Sequence, residues 1–369
     1  MRVAVDGFEV AIPMGGVGRI SAALLEELAR LAPENQFILF VRRPTGLPWP
    51  SNVTEKALDP DCGYIRWQNG PLRRALKTWG PDVLLAPNYT LPVFYRRPAV
   101  LFEHDISFVS YPMWYSRRDR VKLRWLVPHS LKRASVVVTE SEFTKQEILK
   151  HFPFIPADKV RVVYPGVTAN FRRASREEIV GWKKRKGLSE KKLVGFLGSI
   201  FNRRHIPELV EAVEILRRKN PAVQLYMVGR DRTHPPQVIT RMVDRDWILW
   251  EHGMGDGEVS LFYSACDVFV YLSDYEGFGL PPLEALTCGT VPLLLNRTSL
   301  AEAYAGMAVM VDRPDPREVC AALDKVLTDE GLRRRILAEF ERRRGQFSWR
   351  IAGQEVGRIM RLVVGASRL

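Results

Sequence analysis

Cysteine is scarce. Four occur in 369 residues, at Cys62, Cys266, Cys288 and Cys320. They lie far apart, no pair has a metal-ligand spacing, and Cys266 and Cys288 stand in apolar surroundings. They read as buried thiols of a reducing compartment, not as disulfides or zinc ligands. No apolar run is long enough to span a bilayer, and the sequence opens directly on a strand at Met1–Asp6 with no signal peptide before it. The expectation is a cytoplasmic protein that at most lies on a membrane. An aromatic-plus-glycine nucleic-acid motif is also missing, which argues against a nucleic-acid partner. The first glycine-rich loop, Gly15-Gly16-Val17-Gly18, lacks the G-x-G-x-x-G dinucleotide spacing. No short internal repeat is visible.

What is present is a globular composition, 46% hydrophobic and 26% charged, in a chain long enough for two domains. Lys and Arg number 55 against 42 acidic residues, a net charge of +13. That excess fits an anionic partner: nucleotide phosphates, nucleic acid or an anionic membrane. Apolar runs alternate with amphipathic helical patterns. Strands are expected at 2–5, 36–41, 83–86, 99–102, 136–139 and 160–163, with a helix over 19–31 after the glycine loop. A charged helical stretch, 172–186, is followed by a second alternation. Strands fall at 193–197, 223–228, 247–250, 268–272, 291–295 and 308–311, with a helix over 207–218. Such alternation implies an α/β chain with parallel, doubly wound sheets, here two Rossmann-like domains joined near residues 165–175.

The chemistry concentrates in the stretch Asp274-Tyr275-Glu276-Gly277-Phe278-Gly279-Leu280-Pro281-Pro282-Leu283-Glu284. It follows an apolar strand. Its glycines let a ligand approach the backbone, and Pro281 and Pro282 suit the first turn of a helix. A strand, glycine loop and helix start aim N–H groups and a positive dipole end at an anion. Glu276 on the loop and Glu284 in the first helical turn flank that site, and a carboxylate can hold a vicinal diol by two hydrogen bonds. Taken alone, the glycines fit a plain turn equally well, and Glu284 a dipole partner.

The whole stretch resembles the E-x7-E motif of the family 4 retaining glycosyltransferases, nucleotide-sugar enzymes of the GT-B fold (glycosyl transferases group 1, mannosyltransferase-like). The resemblance runs from Asp6 to Trp349. It implies two Rossmann-like domains facing across a cleft: an acceptor domain over 1–168, to which a helix over 348–369 crosses back, and a nucleotide-sugar donor domain over 169–347. It implies that Glu284 holds the ribose hydroxyls and Glu276 contacts the donor sugar. Backbone N–H groups of Gly277, Phe278, Gly279 and Leu280 then receive phosphate or sugar oxygens. The loop Gly198-Ser199-Ile200-Phe201-Asn202-Arg203-Arg204-His205 resembles the family's Arg-Lys-Asn loop, with Arg204 at the lysine position and His205 at the asparagine. Ser199 falls among the donor-binding residues, and Arg203 and Arg204 neutralise the leaving diphosphate; read alone, they also fit a solvated basic turn. Gly15 and Gly16 match the glycine loop facing the diphosphate. In Phe102-Glu103-His104-Asp105, the resemblance gives His104 a donor-sugar contact and Asp105 a loop-orienting role. Ser141-Glu142-Phe143-Thr144-Lys145 and Asn296–Glu302 also match family segments; Ser141 fits a helix N-cap as well.

The implied activity is retaining hexosyl transfer from a GDP- or UDP-linked sugar to a glycan or lipid-linked acceptor, without a cofactor. No Asp-x-Asp metal motif stands in a suitable place, so no metal is expected. Retention without a covalent nucleophile implies front-face attack, with the leaving phosphate taking the acceptor's proton. The rivals are a nucleotide-sugar epimerase of the same fold and a non-enzymatic anion- or nucleic-acid-binding protein. The basic segment within 114–133, with Trp114, Val121, Trp125 and Leu126 among its arginines and lysines, fits two readings. It can lie on an anionic membrane as a peripheral contact, or be an ordinary surface helix with Val121 and Leu126 packed inward.

Overall fold

The computed structural model describes residues 1–11, 14–58, 61–234 and 244–367. Contacts divide the chain into two compact units, Met1–Gly166 with Gln346–Leu369, and Val167–Gly345. The first unit carries seven strands: β1 (Arg2–Asp6), β2 (Gln36–Val41), β3 (Val53–Ala57), β4 (Val83–Ala86), β5 (Ala99–Phe102), β6 (Val136–Thr139) and β7 (Val160–Val162). Their order is β3-β2-β1-β4-β5-β6-β7, parallel throughout, with Ala4 beside both Ile38 and Leu84.

Alternation along the strands feeds two cores. Val3, Val5, Phe37 and Leu39 face one side; Ala4, Ile38 and Phe40 face the other. A parallel sheet buried on both faces needs apolar side chains in both directions, which explains the unbroken hydrophobic runs. The helix Trp349–Ala366 contributes Ala352, Val356, Ile359 and Met360 to the first of these cores and packs on the helix Gly16–Leu31. Gly353 makes that packing close: a Cβ there would lie 3.1 Å from Glu27 and Leu31 atoms.

The second unit has β8 (Lys192–Leu197), β9 (Val223–Val228), β10 (Ile248–Glu251), β11 (Val268–Tyr271), β12 (Pro292–Leu295) and β13 (Val309–Val311), in the order β10-β9-β8-β11-β12-β13, again parallel. In each sheet the strand order reverses once, between β1 and β4 and between β8 and β11. Ligands of open α/β sheets bind outside the carboxyl ends of the strands at such a reversal.

Three details differ from the sequence expectations. The first helix begins at Gly16, so Gly16–Gly18 form its opening turn and not a loop. The helix expected over 172–186 spans Arg176–Arg185, because Ser175 and Glu178 form a capping box there. The strand β3 was not expected. The four cysteines are buried. Among the described residues, no helix is long and apolar enough to cross a membrane.

Candidate active site

The carboxyl ends of β8 and β11 carry the two loops singled out by sequence. The loop after β8 ends in a short 3-10 turn, Asn202–Arg204, and His205 follows with φ 48. His and Asn tolerate this left-handed conformation far better than most residues. That is a physical reason for His205 to stand where the resembling family has asparagine. The loop after β11 ends at Gly279, whose φ of 87 turns the chain into the helix Leu280–Thr287. A side chain at Gly279 would also meet Leu300 at 2.7 Å. Pro281 and Pro282 occupy the opening helical positions. Glu284, expected in the first turn, sits in the second, since the helix already begins at Leu280.

Arg204 and Glu276 meet between these loops. Arg204 Nη2 donates to Glu276 Oε1 at 3.0 Å, and Arg204 Nη1 donates to the Ser199 carbonyl at 2.6 Å. The guanidinium lies 4.7 Å from the Tyr271 ring centre and is buried. Ser273 Oγ donates to Glu276 Oε1 at 2.9 Å. Burial alone would push the Glu276 carboxyl up; the Arg204 and Arg203 guanidinium groups outweigh it and hold the pKa below the ordinary value. Glu276 is thus a preorganised anion between two cations. Arg203 is half-buried and stacks over Phe201 at 4.6 Å.

The backbone around Glu276 is fixed from the next loop. Ser299 Oγ donates to the Glu276 carbonyl at 2.7 Å, and the Glu276 N–H reaches Thr298 Oγ1 at 3.5 Å. Thr298 has φ 54, an outlying conformation for a β-branched residue of the kind that clusters at functional sites. Tyr304 Oη donates to the Gly279 carbonyl at 2.5 Å. Asp274 ties the same loops, taking His205 Nε2 at 2.8 Å and Arg297 Nη1 at 2.6 Å. Burial disfavours the His205 cation, but hydrogen bonds to Asp274 and Glu208 outweigh it and lift its pKa to about 9. Glu284 is buried and accepts from Tyr263 Oη at 2.8 Å. Ser273, Thr298, Ser299, Tyr263 and Tyr304 were not assigned roles from sequence. Only the unexplained match over Asn296–Glu302 pointed toward two of them.

The remaining candidates belong to the first unit. Gly15 and Gly16 are exposed at the start of the helix Gly16–Leu31, with open space where a Cβ would stand. His104 follows β5 and is buried, with Nδ1 2.6 Å from Glu140 Oε1 and Nε2 2.7 Å from the Pro87 carbonyl. Both partners are acceptors, so both ring nitrogens carry hydrogen and the imidazolium fits this cage. Burial opposes that charge, yet the Glu140 carboxylate raises the pKa above the ordinary value. Asp105 accepts from the Ser107 N–H at 2.8 Å, bracing the turn after His104. Ser141 is an N-cap, accepting from the Thr144 N–H at 3.1 Å.

A carboxylate clamped by arginine before a glycine-started helix, at the reversal point of a parallel sheet, is an arrangement suited to an anionic ligand. Two family models match: one described as Glycosyltransferase Family 4 over residues 14–171, and one described as Glycosyl transferases group 1 over residues 181–343. The chain belongs to these glycosyltransferases. It is 29% identical over 361 residues to O-antigen chain mannosyltransferase B of Escherichia coli, covering 92% of this chain and 94% of that protein. Sucrose-phosphate synthase from Thermosynechococcus elongatus superposes with a TM-score of 0.80 at 17% identity, covering 99% of this chain and 100% of that one. The Anabaena protein HepE, solved with UDP and glucose, superposes at 0.75 with 15% identity, covering 98% and 99%. The fold is GT-B.

Proposed function

We propose that this glycosyltransferase moves a hexose from a GDP- or UDP-linked donor to a glycan or lipid-linked acceptor, with retention at the anomeric carbon and without a metal. The observation that carries the reading is the buried Arg204–Glu276 pair at the start of the helix Leu280–Thr287. In this scheme Glu284 holds the ribose hydroxyls and Glu276 a donor-sugar hydroxyl. N–H groups from Gly277 to Leu280 take phosphate or sugar oxygens. Arg203 and Arg204 stabilise the charge that develops on the diphosphate, which is where catalysis gains most. His104 contacts the donor sugar by exchanging its bond to the Pro87 carbonyl, and Gly15 and Gly16 offer an unobstructed approach to the diphosphate.

The acceptor oxygen bonds to the anomeric carbon on the face the diphosphate leaves. The bond from that carbon to the phosphate oxygen breaks, its electron pair goes to the phosphate, and the phosphate takes the acceptor's proton. Fixed cations replace a metal in this step, and no cofactor takes part.

The relative that makes an O-antigen mannosyl linkage supports mannose as the first sugar to try, and UDP in the Anabaena protein makes uridine donors the second. We assign the protein to the cytoplasmic side of a membrane, held peripherally by the helix Arg117–Arg133. Val121 and Trp125, one turn apart, are 71% and 60% exposed, and Arg117, Arg118 and Arg124 are exposed beside them. Leu126 packs inward, whereas Val121, expected inward in the surface-helix reading, points out. A basic helix with an exposed indole suits an anionic headgroup layer.

The deciding experiment incubates the protein with GDP-mannose or UDP-glucose and mannosyl acceptors, with and without EDTA, and assigns the product anomer by NMR. An axial linkage formed from an axial donor bond, unaffected by EDTA, is the expected outcome. An inverted product or an EDTA-abolished rate overturns the corresponding part, and a free epimer overturns transfer itself.

A further inference from the structure

A cavity of 510 Å³ opens in the first unit where the chain leaves β1 and β4, and the helix Arg117–Arg133 supplies one wall. That volume falls within the range of about 300–1,000 Å³ typical of small-molecule sites. It lies at the reversal point of its own sheet, the position where α/β sheets take ligands. Nothing in the donor chemistry uses it.

Its lining selects a ligand class. Tyr64, Tyr89 and Tyr115 present aromatic surface, with Leu123 and Leu126 beside them. Glu9, Asn88 and Thr90 add a carboxylate, an amide and a hydroxyl. Apolar faces with a few convergent polar groups match a pyranose, which has a C–H face and a rim of hydroxyls. Charge sharpens the choice. Two cations, Arg66 and Lys122, are balanced by two carboxylates, Glu9 and Asp119, and Lys122 Nζ lies 3.6 Å from Asp119 Oδ1. In a chain of net charge +13 this cavity is formally neutral. It is not built for a phosphate or a uronate.

The cavity is also preformed. Tyr64 Oη donates to the Asn88 carbonyl at 2.6 Å and lies 2.6 Å from Gln68 Nε2. Thr90 Oγ1 donates to Gln68 Oε1 at 2.8 Å, and Gln68 Nε2 reaches the Thr90 carbonyl at 2.7 Å. Asp6, at the end of β1, accepts from Gln68 Nε2 at 3.1 Å and from Trp67 Nε1 at 2.9 Å. Asp6 and Gln68 are not among the residues that line the cavity, so they act on it from behind. They lock the loop after β4 to the helix Tyr64–Trp67, which runs on into a π turn, Gln68–Leu72, a feature frequent at functional sites. Gly18 supports the wall from behind: a Cβ there would fall 2.2 Å from the Glu9 carbonyl, so only glycine lets the Glu9 loop sit where it does.

We propose that this cavity receives an uncharged sugar unit of the acceptor, and that Asp6 and Gln68 are positioning residues that hold Tyr64 and Thr90 against it. The proposal rests on the glycosyltransferase reading given above. The test uses full-length protein and two probes, methyl α-mannobioside and mannose 6-phosphate, with binding read by saturation-transfer NMR and transfer read by nucleotide release. The neutral disaccharide binds and the phosphate does not. Gln68→Leu, which keeps side-chain bulk and removes the hydrogen bonds, raises the acceptor KM about tenfold and leaves the donor KM and acceptor-free donor hydrolysis unchanged. Thr90→Val, a milder change, raises it in the same direction if Gln68→Leu fails to fold. Leu123→Trp, which fills the cavity, removes disaccharide binding. Equal binding of both probes, or an unchanged acceptor KM in Gln68→Leu and Thr90→Val, overturns the proposal. Disaccharide binding lost in Leu123→Trp, in a protein that transfers nothing, supports the cavity and sinks only the transferase reading.

Discussion

Arg204 and Glu276 lie 72 residues apart in sequence, yet their side chains form a buried ion pair at 3.0 Å. The pair makes the loops after β8 and β11 one object. It also separates the two adjacent arginines. Arg204 is part of the framework, whereas Arg203 lies at its margin.

That difference predicts unequal arginine variants. Arg204→Met strands an ionised Glu276 in a buried site, and breaking such a pair costs about 3–5 kcal/mol. Thermal melting should show a large loss. Arg204→Met combined with Glu276→Leu recovers part of it, because no charge is left unpaired. Arg203→Met keeps the melting temperature and weakens nucleoside-diphosphate binding by calorimetry. Equal melting of both single variants contradicts this assignment.

Glu276→Gln keeps the shape of the loop and removes the charge. If the carboxylate works on the donor sugar, kcat falls by about 10²–10³ with little change in nucleotide affinity. Glu284→Ala gives the opposite split. A ribose contact is shared by ground and transition states, so the donor KM rises by about tenfold or more while kcat holds. Steady-state kinetics of the two variants decide between these roles.

His205 sets a pH dependence with a definite sign. Its folded pKa, about 9, lies above the ordinary 6.5. The stabilisation is complete below about pH 6.5 and is lost as pH rises through about 9. The melting temperature should fall between pH 7 and 10. His205→Asn keeps the left-handed turn and flattens that slope. A slope that persists in the variant assigns the loss to other groups.

Much of this was readable in advance, for reasons that differ by element. Central strands such as β4, β5 and β11 show as continuous apolar runs because both faces are buried. The edge strand β3, Val53-Thr54-Glu55-Lys56-Ala57, is largely exposed, so it carries no hydrophobic signal and was missed. The loop carboxylate and arginines could be read because each stands beside its own strand end. Their pairing could not, since it depends on two loops meeting. Thr298 and Ser299 act through their hydroxyls on the Glu276 backbone, and a hydroxyl in the sequence does not show which distant backbone group it meets. The neutral cavity of the first unit joins segments from 9 to 126 and is visible only once they fold together.

The basic helix yields a surface test. Val121→Asp with Trp125→Ala should cut co-sedimentation with anionic vesicles and leave neutral vesicles unaffected. High salt should reduce wild-type binding, because each basic residue contributes on the order of 1 kcal/mol through a screened field. Negligible wild-type binding to both vesicle types removes the membrane contact.

The chain enters the first unit at Met1, leaves it at Gly166 and returns at Gln346. On the ribosome, the second unit is therefore made whole before the first can close. Until the helix Trp349–Ala366 emerges, the face bearing Val3, Val5 and Leu24 lacks the cover of Val356 and Met360. A nascent chain therefore carries an open hydrophobic seam until residues 349–366 have emerged, and a nonsense codon within that stretch strikes the unit that was begun first.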